Sequence, residues 1–216
     1  MADPLPILED IEQDALTELV NIGVSRAATH LSRIVSDQVV LSVPALTVIQ
    51  REQAVAQLPE GGAEPMVAIC ERFKGRISGH ALLIFPETNS LELVRASVGD
   101  RTPLHEISVL EEDAITEIGN VLLNGCLSVL ANSLHESLSI SLPEFVRGDG
   151  RSILFSGRVG APDELVLFVQ VDFSVRSRQI QGFLILTLDL PALSELKILL
   201  QELVAGLSAS KTPAGH

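Results

Sequence analysis

The 216-residue chain has no tryptophan and no tyrosine, and aromatic residues make up only 3% of it. It therefore offers no evident platform for stacking the bases of a single strand. Basic residues are scarce as well: 15 Lys and Arg against 28 Asp and Glu leave a net charge of −13. Such a surface argues against binding nucleic acid, whose affinity rests on cations facing phosphates, and against attraction to anionic lipid. The two cysteines, Cys70 and Cys126, lie far apart without a metal-ligand spacing. They read as reduced, buried thiols of a cytoplasmic protein. No unbroken apolar run reaches the ~18–20 residues of a bilayer span. The opening Met-Ala-Asp-Pro-Leu-Pro lacks the basic and apolar regions of a signal peptide. There is no Gly-x4-Gly-Lys-Ser/Thr loop, no His-x3-His pair and no nucleophile elbow. The histidines His30, His80, His105, His135 and His216 are scattered, so structural or solvent-facing roles are expected and no metal site is predicted.

What is present is a repeat. Asp14, Glu18, Asn21 and Pro44 recur as Asp113, Glu117, Asn120 and Pro143, each displaced by 99 positions. Both copies read Asp-x3-Glu-x2-Asn-x22-Pro. Between 14–44 and 113–143 eight residues are identical, the other four being Ala15, Thr17, Leu31 and Ser42 with their counterparts. A duplicated scaffold keeps its apolar pattern for packing; it has no evident packing reason to keep a polar triplet. Two units of long period indicate two fused lobes rather than a solenoid.

A helix is predicted over Glu9–Val35. Asp14, Glu18, Asn21 and Ser25 form one polar stripe, with Leu16, Leu19, Val20, Gly23 and Ala27 on the buried side. In the second copy Asp113, Glu117, Asn120 and Asn124 form the stripe, opposite Ile115, Ile118, Gly119, Leu122 and Cys126. Strands are predicted at Val39–Val48 and Ser139–Leu142. Pro44 inside the first implies an edge, bulge or break, and Pro143 ends the second. Phe73–Gly79 precedes a strand at Ala81–Phe85 and a helix near Ser90–Val98. Ile180–Gly182 precedes Phe183–Leu188 and a helix near Leu193–Leu203. The displacement is now 103, which suggests about four inserted residues, with Gly148–Gly150 and Gly160–Asp163 as plausible places. The expected fold is α+β: two pseudo-twofold-related repeats (about 8–100 and 107–206) in one domain, each a long helix, antiparallel strands and a helix, then a flexible tail over 207–216.

Glu and Asn three residues apart on a helix point the same way and present one anionic acceptor and one neutral carboxamide. A carboxamide donates and accepts without changing charge, which suits orienting a water but not acting as a strong base. Phosphoryl transfer is governed by such positioning together with charge stabilisation. The triplet is therefore a partial site, and the electrophile must come from elsewhere.

At these residues the chain resembles the CheC/CheX/FliY family of chemotaxis phosphatases. The carriers are the two motifs, Glu18-Leu-Val-Asn-Ile-Gly23, Glu117-Ile-Gly-Asn-Val-Leu-Leu-Asn124, and Phe-x-Gly-x-Ile-x-Gly at 73–79. Two intact motifs are most like CheC. The resemblance implies hydrolysis of the aspartyl phosphate of CheY or a similar response regulator. Asn21 and Asn120 would orient the attacking water, and Glu18 and Glu117 would engage a lysine of the partner's active site. Asp14 and Asp113 would touch the docked partner, Pro44 and Pro143 would shape the strand, and Mg²⁺ would reside on the partner. CheD is a further partner implied by the family. The alternative is a non-catalytic adaptor that holds a receiver domain, CheD or a flagellar switch component.

Overall fold

A computed structural model describes residues 8–35, 38–42, 46–99, 103–155, 165–175, 178–188 and 190–210. The first half runs α1 (Asp10–Ile34), β1 (Val39–Ser42), β2 (Leu46–Gln50), α2 (Arg51–Gln57), a 3-10 turn (Pro59–Gly62), β3 (Pro65–Lys74), β4 (Gly79–Pro86) and α3 (Glu87–Val98). The second runs α4 (Leu104–Ser133), β5 (Ser139–Ile140), β6 (Glu144–Asp149), α5 (Gly150–Phe155), β7 (Leu165–Val175), β8 (Arg178–Leu188) and α6 (Leu190–Ser210).

All the strand pairings are antiparallel, in one sheet of order β1-β7-β8-β4-β3-β5, with β2 beside β1 on β7 and β6 beside β5 on β3. The order is the same read from either end once the halves are exchanged. At its centre Leu82 faces Ile185, two residues 103 positions apart, so the pseudo-twofold axis passes through that pair. The register also locates the insertion. Phe73 opposite Gly79 encloses five residues, whereas the equivalent pair, Val171 opposite Gly182, encloses ten. The extra length thus sits in the β7–β8 hairpin and not at Gly148–Gly150 as expected; Gly160–Asp163 lies outside the described residues.

At both edges the outer strand carries one residue more than its partner. From Ser42 to Leu46 is four steps against three from Asp172 to Val169, and from Ile140 to Glu144 is four against three from Phe73 to Cys70. At the second edge this is a bulge; the predicted Val39–Val48 appears as β1 and β2, whereas β6 lies beyond the predicted Ser139–Leu142 and was not anticipated. Pro143 sits in the step, where a residue without an N–H costs no ladder bond. Pro44 lies outside the described residues.

Both faces of the sheet are covered, which is why β4 reads as an unbroken apolar run. Val67, Ile69, Phe73, Ala81, Leu83 and Phe85 face a large core with α1, α3, α4 and α6. Met66, Ala68, Leu82, Ile84, Val166 and Ile185 face a smaller core closed by α2 and α5. The two short helices were not anticipated from sequence, and α6 runs through Ser210 where a tail was expected from 207. Residues 105–133 of α4 are long and apolar enough by composition to cross a membrane, although no single run is unbroken; half of the apolar window is buried inside the protein.

Small residues set the helix positions. A Cβ on Gly23 would lie 2.7 Å from the Cys126 Cα, and one on Gly125 would lie 3.1 Å from the Ala27 Cβ, so α1 and α4 cross almost backbone to backbone. Burial in this crossing pushes the Cys126 thiol up to about 12, which leaves it protonated and inert. A Cβ on Gly119 would lie 2.5–2.8 Å from three side-chain atoms of Ile69, bringing α4 onto β3.

Each motif helix is also tied by a buried glutamate, Glu12 in the first turn of α1 and Glu111 two turns into α4. Glu12 caps α1 by accepting from the Glu9 N–H at 2.8 Å, accepts from Gln201 of α6 at 2.7 Å and faces Lys197 at 3.5 Å. Burial raises its pKa, but these partners outweigh burial and hold it below the usual carboxylate value. Glu111, 99 positions on, accepts from Ser90 of α3 and from Arg147 of β6, the latter at 2.5 Å.

Two predictions follow from the packing. Gly119→Ala gains helix propensity worth ~1 kcal/mol but must displace Ile69, so a net loss of about 1–2 kcal/mol is expected in urea unfolding. Gly206→Ala in α6 meets nothing within 4 Å and should instead stabilise, by about 0.5–1 kcal/mol. The second prediction concerns Glu71, which faces the helices from β3, is 0% exposed and has no hydrogen-bond partner for either oxygen. Burial pushes its pKa from 4.5 to about 7. Between these values the unfolded chain has released the proton and the folded chain keeps it, so stability falls as pH rises through this window. Relative to Glu71→Gln, the parent should lose about 3 kcal/mol between pH 4 and pH 8. Unfolding midpoints of both proteins across that range measure it; a constant difference counts against the assignment.

Candidate functional site

The predicted stripes lie on exposed faces of α1 and α4. Leu16, Leu19, Val20, Gly23 and Ala27 are buried, as are Ile115, Ile118, Gly119, Leu122 and Cys126, so each helix presents its polar side outward. Asp14, Glu18, Asp113 and Glu117 are exposed, while Asn21 and Asn120 are half-buried at the helix flank. The structure thus brings Glu and Asn of each copy onto one surface.

Each asparagine lines an open depression. The first, about 340 Å³, is formed by α1 alone: Glu18, Asn21, Ile22, Ser25, Arg26 and Thr29. The second, about 370 Å³, has Asn120, Val121, Asn124 and Ser128 of α4 on one side and Arg26 and His30 of α1 on the other. Arg26 reaches both depressions because the helices cross so closely beside it. Within the second, Asn124 Nδ2 donates to Asn120 Oδ1 at 2.6 Å.

Asp14, Glu18, Asp113 and Glu117 have no ion-pair or hydrogen-bond partner among the described residues. Glu12 and Glu111, two positions before each stripe, are satisfied internally. This separates structural acids from available ones, as helical spacing also does, since Glu12 and Glu111 stand in line with Leu16 and Ile115 on the buried side. Sequence reading also missed that each stripe opens on an exposed apolar residue: Ile11 is 57% exposed and its counterpart Leu110 is 40% exposed. The signal was there, since both stand three positions before the motif aspartate. Among the described residues no group of three or more His, Cys, Asp or Glu is placed to hold a metal ion.

This arrangement can anchor a cation at the glutamate, orient a water at the carboxamide and seat an apolar group at the start of the stripe. It lacks a nucleophile with an activating base.

Known proteins resemble this chain in sequence and in fold. The model of the chemotaxis phosphatase CheX matches residues 66–161 and that of the CheC-like family matches residues 11–48. The CheY-P phosphatase CheC of Bacillus subtilis is 27% identical over 63% of this chain and 66% of its own length. The putative CheY-P phosphatase CheC1 of Halobacterium salinarum is 26% identical over 64% of this chain and 70% of its own. The flagellar motor switch phosphatase FliY of B. subtilis is 25% identical over 78% of this chain and 43% of its own. The chain thus spans just under two thirds of the first relative and less than half of FliY. Among solved structures, Thermotoga maritima FliY superposes with a TM-score of 0.74 at 15% identity, covering 91% of this chain and 98% of that one. The FliM middle domain of H. pylori superposes with a TM-score of 0.63 at 9% identity, covering 89% and 99%. These last two likenesses concern the fold. Two family models matching separate parts of one chain, together with the curated relatives, show that this chain is similar to the CheC, CheX and FliY chemotaxis phosphatases.

Proposed function

We propose that the chain hydrolyses the aspartyl phosphate of a CheY-like response regulator and so ends a signal in chemotaxis or a related two-component pathway. The observation that carries this reading is the duplicated asparagine, half-buried at the wall of an open depression in each copy. Asn21 and Asn120 orient the attacking water, donating through the amide and accepting through the carbonyl. Glu18 and Glu117, exposed and without a partner among the described residues, receive a lysine of the receiver's active site. Asp14 and Asp113 lie on the same face and touch the docked partner, with Ile11 and Leu110 adding apolar contact. The receiver brings the phosphoryl group and its Mg²⁺, whose charge stabilisation supplies what the stripe lacks. CheD is a second candidate partner.

The test is phosphate release from phosphorylated receiver domains with Asn21→Ala, Asn120→Ala and the double variant. Each single variant should lose its own site's share. The double should fall by about 10²-fold or to the receiver's own rate. A double variant as fast as the parent sinks the assigned mechanism, and tight binding without turnover by the parent favours the adaptor reading. Ile11→Ala with Leu110→Ala should weaken receiver binding while changing stability by less than about 0.5 kcal/mol, since both side chains are exposed. Titration calorimetry and urea unfolding separate the two effects.

A further inference from the structure

We infer that Asn124 is a positioning residue that fixes the carboxamide of Asn120, and that the first copy has no counterpart to it. The inference rests on the phosphatase reading of the stripe for its consequence, though not for its geometry. Asn124 follows Asn120 by one helical turn, the spacing at which side chains on α4 meet. Its Nδ2 donates to Asn120 Oδ1 at 2.6 Å, and both residues line the same depression. The terminal torsion of an asparagine is otherwise broad, so a free carboxamide samples many orientations. With one lone pair of Oδ1 engaged, the Asn120 NH₂ group is held in one direction and the oxygen retains a second lone pair.

In the first copy Ser25 stands at the equivalent place. Its hydroxyl stands one bond nearer the backbone than a carboxamide nitrogen, and Asn21 has no hydrogen-bond partner among the described residues. The two copies therefore share the water-orienting group but not the group that orients it.

Two measurements test this. Side-chain NMR of the intact protein should show the Asn120 NH₂ ordered in the parent and mobile in Asn124→Ser; equal mobility in both overturns the inference whatever the activity. In the Asn21→Ala background, which leaves the second site alone, Asn124→Ser should lower kcat about five-fold with KM little changed. Asn124→Asp can only accept, so it must take the Asn120 NH₂ and turn the carboxamide round; its loss should be at least as large. Ser25→Asn in the Asn120→Ala background should raise kcat at the first site. Unchanged kcat in Asn124→Ser, or a loss confined to KM, overturns the positioning role. No turnover by the Asn21→Ala background itself, with the NMR contrast intact, overturns the phosphatase reading of this site and leaves the positioning geometry standing.

Discussion

The close crossing of α1 and α4 is the constraint on which the rest of the molecule depends. Helices that interpose ordinary side chains stand 8–10 Å apart. Here Gly23 meets the backbone at Cys126, and Gly125 meets Ala27, so almost nothing intervenes. The pair can then lie side by side on one sheet face, and their polar flanks come within reach of one another. That proximity explains why Arg26 lines both depressions. With bulkier residues at the crossing, α1 and α4 would carry the same motifs as two unrelated surfaces.

The same crossing limits how symmetric the halves can be. Residues near a pseudo-twofold axis meet their own counterparts, and two equal bulky or charged groups cannot share that place. Arg26 corresponds to Gly125, His30 to Val129 and Ser25 to Asn124. In the first of these pairs one copy has given up its side chain. The second depression draws on two helices and the first on one because of these exchanges. The duplicated motif is preserved one turn away from the axis, where both copies fit. Divergence at the axis is thus a steric consequence of fusion, and it makes the two sites chemically unequal without altering Glu or Asn.

The stripes and buried faces were legible because a 3.6-residue period over 25 or 30 residues is a strong signal, and all ten predicted inward positions are buried. Pro143 lies between the two edge strands β5 and β6, where a missing N–H costs no ladder bond. Other features left no local trace. Helices α2 and α5 span seven and six residues, too short for periodicity to declare itself. The β7–β8 hairpin carries its extra residues without turn residues that stand out. Glu12 and Glu111 fall in line with Leu16 and Ile115 on the buried side, but spacing does not show what satisfies them: Ser90, Arg147 and Gln201 arrive from 21, 36 and 189 residues away. Spacing shows which acids are buried, and tertiary partners decide whether a buried acid is satisfied.

That partition of the acids bears on what the surface can receive. The cations Lys197 and Arg147 are committed to Glu12 and Glu111, which leaves four carboxylates along the stripes without compensation in a chain of net charge −13. A free phosphate, nucleotide or other bare anion approaching Glu18 or Glu117 meets repulsion of the kind that suppresses wrong partners. An acyl phosphate already held between a lysine and a divalent cation meets none of it, because the cations face the carboxylates first. The negative stripe is therefore suited to act as a filter. Under the proposed function it would admit a phosphoryl group presented within a positively armed protein site and turn away small phosphoesters that a water-orienting asparagine alone could not tell apart.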